Sequence, residues 1–86
     1  MGKQLAVIHP EAQNLLQKGH QNYLMAWESL SEHNLVRAQK YFMAAKEYYN
    51  VIVKNLPDAL LSVITTRLEV CEKATLLLNN YTGSVW

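Results

Sequence analysis

The sequence predicts an all-α fold, an antiparallel three-helix bundle that runs up, down and up. Three observations carry this. The stretch 35–53, LVRAQKYFMAAKEYYNVIV, sets Leu35, Ala38, Phe42, Ala45, Tyr49 and Ile52 at the three- and four-residue steps of one helix face. Half of the 86 residues are hydrophobic, with only three glycines and two prolines, a composition suited to packed helices rather than to disorder. Two short polar breaks, 31–34 and 55–58, cut the chain into three segments of helical length.

The first helix is predicted over about 10–30. His9-Pro10-Glu11 has proline and an acid where a helix start favours them. Its inner face reads Leu15, Leu16, Gly19, Tyr23, Ala26, Trp27 and Leu30. A glycine inside a helix costs about 1 kcal/mol relative to alanine, so Gly19 marks a place where another helix comes close. Ser31-Glu32-His33-Asn34 is the turn, and a link that short makes its two helices antiparallel neighbours.

The second helix is predicted over about 34–55, with Asn34 as N-cap. Tyr41, Ala44, Tyr48 and Val51 form a second row beside the first, so this helix has two partners. Ala38 and Ala45 flank Phe42 as notches for a neighbouring backbone. Pro57 ends the helix, because the residue before a proline avoids the helical region. The third helix is predicted over about 57–79, on the stripe Leu60, Ile64, Leu68, Cys71, Ala74 and Leu78, flanked by Leu56, Val63, Val70 and Leu77. It is expected to fade at Asn79-Asn80, leaving Tyr81 to Trp86 as a loose tail or one that rests Trp86 on a neighbour.

One domain is all that 86 residues allow, and a chain this short buries roughly 60 to 65 per cent of its unfolded surface. The net charge of +1, without a basic run, gives no reason to expect nucleic acid as partner. Cys71 is the single cysteine, which rules out an internal disulfide and suits a reducing compartment. No apolar run approaches the ~20 residues of a membrane span, and the N-terminus lacks the layout of a signal peptide, so a cytoplasmic protein without direct membrane insertion is expected. Met1-Gly2 opens like an acylation signal, but Ala6 stands where serine or threonine is required. Asn80-Tyr81-Thr82 spells a glycosylation sequon that has no meaning without secretion.

No catalytic, cofactor or metal site is expected. His9, His20 and His33 fall one to a segment, and none pairs at the spacing that chelates a metal from one helix face. Cys71 lies on an apolar stripe, where a thiol packs rather than reacts. Glu69 and Glu72 are neighbours with nothing nearby to tune them, and there is no glycine-rich phosphate loop. The informative feature is apolar surplus: three helices cannot enclose every apolar side chain, and leftover apolar surface marks a binding strip. Tyr41 and Tyr48, with packed rings and wet hydroxyls, suit the border of such a groove.

Ala26, Asn34, Ala38, Phe42, Ala45, Tyr48 and Ile52, at these separations, resemble the microtubule-interacting and trafficking (MIT) domain family, and Arg67 to Ala74 is similar to that family's closing segment. The likeness spans about residues 12–81. It implies an up-down-up bundle, also the order of a spectrin repeat, that acts as a non-catalytic adaptor. Such domains bind C-terminal tails of ESCRT-III subunits, as amphipathic helices or extended motifs, and recruit an attached activity to endosomal or midbody membranes. The resemblance implies one groove between the second and third helices, at Tyr41, Tyr48, Ile64, Cys71 and Thr75, with Glu69 and Glu72 open to basic peptide residues. A second groove, between the first and third helices, would use His20, Tyr23 and Trp27. On this reading Cys71→Asp weakens peptide binding and leaves the fold intact.

Two departures bear on the partner: Leu35-Val36-Arg37 replaces the family's aromatic and acids, and Thr75-Leu76-Leu77-Leu78 replaces its basic finish. The alternative is a tetratricopeptide-like or self-associating helical adaptor whose partner lies outside the ESCRT system, since Ala38, Phe42 and Ala45 also suit a tetratricopeptide helix. A monomer is expected, with a homodimer as the self-associating form. One tetratricopeptide unit does not bury its own face, and the chain has no second copy. A two-helix secreted effector of the WxG type fits less well, because Trp27-Glu28-Ser29 lacks the glycine.

Overall fold

The structure, a computed structural model, describes residues 10–83. They form three α-helices, α1 (Pro10–Ser31), α2 (Leu35–Ile52) and α3 (Asp58–Gly83), packed as a rod of 52 × 18 × 17 Å. The readings made of Met1-Gly2, Ala6, His9 and Trp86 lie outside the described residues.

The turn between α1 and α2 closes one helix and opens the next without a spare residue. His33 takes the left-handed conformation, φ 61°, while the His33 amide donates to the Leu30 carbonyl and the Asn34 amide to the Ser29 carbonyl, each at 2.9 Å. Those are the two bonds of a Schellman C-cap. Asn34 then accepts from the Arg37 amide at 3.1 Å through its side chain, which is the N-cap read from the sequence. With so short a link, α1 and α2 lie antiparallel along most of their length.

α2 is the middle helix, with α1 on one side and α3 on the other. Ala38, Phe42, Ala45, Tyr49 and Ile52 are all buried, and their alternating four- and three-residue steps keep one seam facing inward as in a coiled coil. Tyr41, Ala44 and Tyr48 are half-buried beside that seam, whereas Val51 is exposed. α2 gives way to a 3-10 turn, Val53–Asn55, and Leu56 is extended (φ −90°, ψ 146°) ahead of Pro57. From α3, Ile64, Cys71 and Leu78 enter the core at seven-residue steps.

Two expectations need correction. The α-helical part of α2 stops at Ile52, three residues short of the predicted end. α3 continues to Gly83 rather than fading at Asn79-Asn80. Both asparagines face solvent while Leu78 and Tyr81 continue the apolar side, so their weak helix propensity is outweighed.

Candidate functional site

α1 and α3 run parallel, and each packs on α2 far more closely than on the other. That leaves a furrow between them, closed below by α2. Near its lower end, Leu16 and His20 of α1 and Leu60, Val63, Ile64 and Arg67 of α3 line a hollow of about 340 Å³. At its upper end, Trp27, Leu30, Leu35, Ala74, Leu77, Leu78 and Tyr81 enclose another of about 410 Å³, whose lining is wholly apolar. Tyr81 reaches this hollow because α3 outlasts its predicted end.

Between the hollows the furrow is crossed by side chains. The Arg67 guanidinium donates to Nδ1 of His20 on α1 and, at 3.1 Å, to the Tyr49 hydroxyl on α2. Its carbon sits 4.9 Å from the centre of the Tyr23 ring, a cation-π distance. Tyr23 in turn lies edge-on to Trp27 at 6.2 Å and to Phe42 at 6.3 Å, and Trp27 meets Phe42 at 5.3 Å. Such edge contacts favour fixed ring positions, so the furrow wall is continuous with the core. Burial pushes the Tyr49 hydroxyl above its usual value, against the pull of the Arg67 hydrogen bond and charge.

His20, Tyr23 and Trp27, the residues that the resemblance implied for a second groove, all lie on the side of α1 that meets α3. The groove expected between α2 and α3 is different. Ile64 is 2 % exposed and Cys71 0 %, so neither offers surface to a peptide on that side. Both sit where the α3 stripe meets α2, and Ile64 emerges only as floor of the lower hollow. Burial pushes the Cys71 thiol up to about 11, with Lys46 and Arg67 pulling more weakly the other way. Cys71→Asp would bury a carboxylate in the core, so loss of folding replaces the expected selective loss of binding. Tyr41 and Tyr48 remain half-buried, Thr75 donates to the Cys71 carbonyl at 2.7 Å, Glu72 pairs with Lys46 at 3.8 Å, and Glu69 is exposed.

The sequence reading missed Arg67 and the upper hollow. A signal for Arg67 was present, since it stands three residues after Ile64 and four before Cys71, a lone cation beside a buried stripe. The hollow depends on the parallel register of α1 and α3, which sets Trp27 beside Ala74 just as His20 meets Arg67, 47 residues apart. Among the described residues no cluster of histidine, cysteine, aspartate or glutamate suits a metal ion, and no helix is long and apolar enough to cross a membrane.

In comparisons with known proteins, the chain matches no family model, no curated protein and no solved structure.

Proposed function

We propose that this chain is a non-catalytic interaction module whose α1–α3 furrow receives a short segment of another protein. The partner class follows from the MIT resemblance: C-terminal tails of ESCRT-III subunits, bound so that an attached activity is carried to endosomal or midbody membranes. The furrow itself is the observation that supports this reading. Two apolar hollows on one line, with Trp27 44 % and Leu77 59 % exposed at the upper one, give a peptide two places to bury anchors. A strip of this size suits micromolar affinity, about −8 kcal/mol.

A second reading is favoured by the exposed apolar side chains Val36, Leu76, Leu77 and Tyr81, which together suit self-association. Titrating the isotopically labelled protein with a panel of ESCRT-III tail peptides separates the two. The peptide reading expects amide shifts around His20, Tyr23, Trp27 and Leu77. Leu77→Lys is expected to abolish them with the melting temperature unchanged, because Leu77 is largely outside the core. Shifts confined to Tyr41, Tyr48, Glu69, Glu72 and Thr75 would move the site to the α2–α3 face. Silence across the panel, with concentration-dependent sedimentation, would favour the homodimer.

A further inference from the structure

Arg67 is a cation held by neutral groups. Its partners are the His20 nitrogen, the Tyr49 hydroxyl and the face of Tyr23, while the salt bridges Arg37–Glu32 and Lys46–Glu72 lie on other parts of the surface. A guanidinium presents five donors in a fork matched to a carboxylate, and two of its hydrogen-bond partners here are reached from the single nitrogen Nη1. The residue is half-buried and lines the lower hollow, so a group entering the furrow meets this charge in partly dry surroundings. Among the described residues no carboxylate answers it.

We propose that the furrow selects an extended peptide segment carrying an acidic side chain between two apolar anchors, the carboxylate being read by Arg67. This rests on the furrow being a peptide site and adds what the peptide must contain. Charge complementarity names the central residue, and helix geometry names the spacing. From Val63-Ile64 to Leu77-Leu78 is fourteen residues of α3, or about 20 Å at ~1.5 Å per residue. An extended chain covers that in about six residues at ~3.3 Å each. Arg67 stands three residues past Ile64, about 5 Å along α3, which an extended chain covers in about two residues. The segment therefore has an apolar residue, an acid two places on, and a second apolar residue about six places from the first.

The probe is a synthetic seven-residue peptide, blocked at both ends, with leucine in the first and seventh places, serine spacers, and glutamate, glutamine or lysine in the third. The glutamate peptide is expected to shift the furrow amides and to bind roughly tenfold tighter than the glutamine one, with lysine weakest, and the gap is expected to narrow in high salt. In Arg67→Gln, glutamate and glutamine peptides are expected to bind alike. Should that variant fail to fold, the three peptides on the unaltered chain still decide the matter. Equal affinity for all three at the furrow would overturn the reading of the acid while leaving the peptide site standing. Silence of all three beside a responsive tail panel would do the same. Silence of both, or a homodimer occupying the furrow, would overturn the site and the proposal together.

Discussion

At Gly19 an added methyl would lie 2.8 Å from Cε1 and 3.0 Å from Cδ1 of Tyr49, and 3.2 Å from Cβ of Tyr48. Tyr49 is fully buried with its hydroxyl held by Arg67, so its ring has little room to retreat. Alanine is the better helix former by about 1 kcal/mol, but overpacking costs about 1 to 3 kcal/mol. Gly19→Ala is therefore expected to lower the urea midpoint, and a raised midpoint would contradict the close approach. Cys71 gives a pH dependence with a definite sign. Burial lifts its thiol from 9.0 to about 11, so on raising the pH the unfolded chain loses this proton before the folded one. The stabilisation is complete below about pH 9 and is lost as the pH climbs through about 11. Tyr49, also raised by burial, acts in the same sense. Unfolding followed between about pH 8 and about pH 10.5 should show falling stability, and Cys71→Ala should flatten the slope.

Among the elements, α2 was the most legible in sequence, because its buried residues repeat without interruption and its ends carry plain chemistry: Asn34 at the start, Pro57 beyond the finish. Ala45 is fully buried on that seam, and Ala45→Leu is expected to destabilise by about 1 to 3 kcal/mol, read as a drop in melting temperature. α3 was read less well. Its stripe Leu60, Ile64, Leu68, Cys71, Ala74 and Leu78 is the side that meets the core, but the pattern does not show which of two neighbours each residue faces, and Cys71, expected also to line a groove, is wholly buried. Leu77 and Leu78 differ by one position, yet one is exposed and the other buried. The α2–α3 groove loses Ile64 and Cys71 to the core, whereas the residues expected for the other groove lie beside α3. His20, Tyr23 and Trp27 sit on the edge of the α1 stripe, where a half-covered residue faces the third helix. Arg67 went unnoticed because a charge on a helix is ordinarily solvated, and its aromatic and hydroxyl partners come from helices distant in sequence.

For the whole molecule the decisive asymmetry is that α2 is packed on both sides while α1 and α3 meet through side chains alone. α1 holds α2 along a longer interface than α3 does, and the tight turn at His33 keeps that pair in register. The rod can therefore come apart in stages. Peeling α3 away exposes Ile64, Cys71 and Leu78 and leaves a helical hairpin behind, a smaller loss than melting everything at once. In deuterated buffer the α3 amides are expected to exchange sooner than those at the centre of α1 and α2, the signature of a separate cooperative unit. A ligand lying across the seam would stitch that unit to the hairpin, so that its binding is written as slowed exchange along a helix whose far side it never touches.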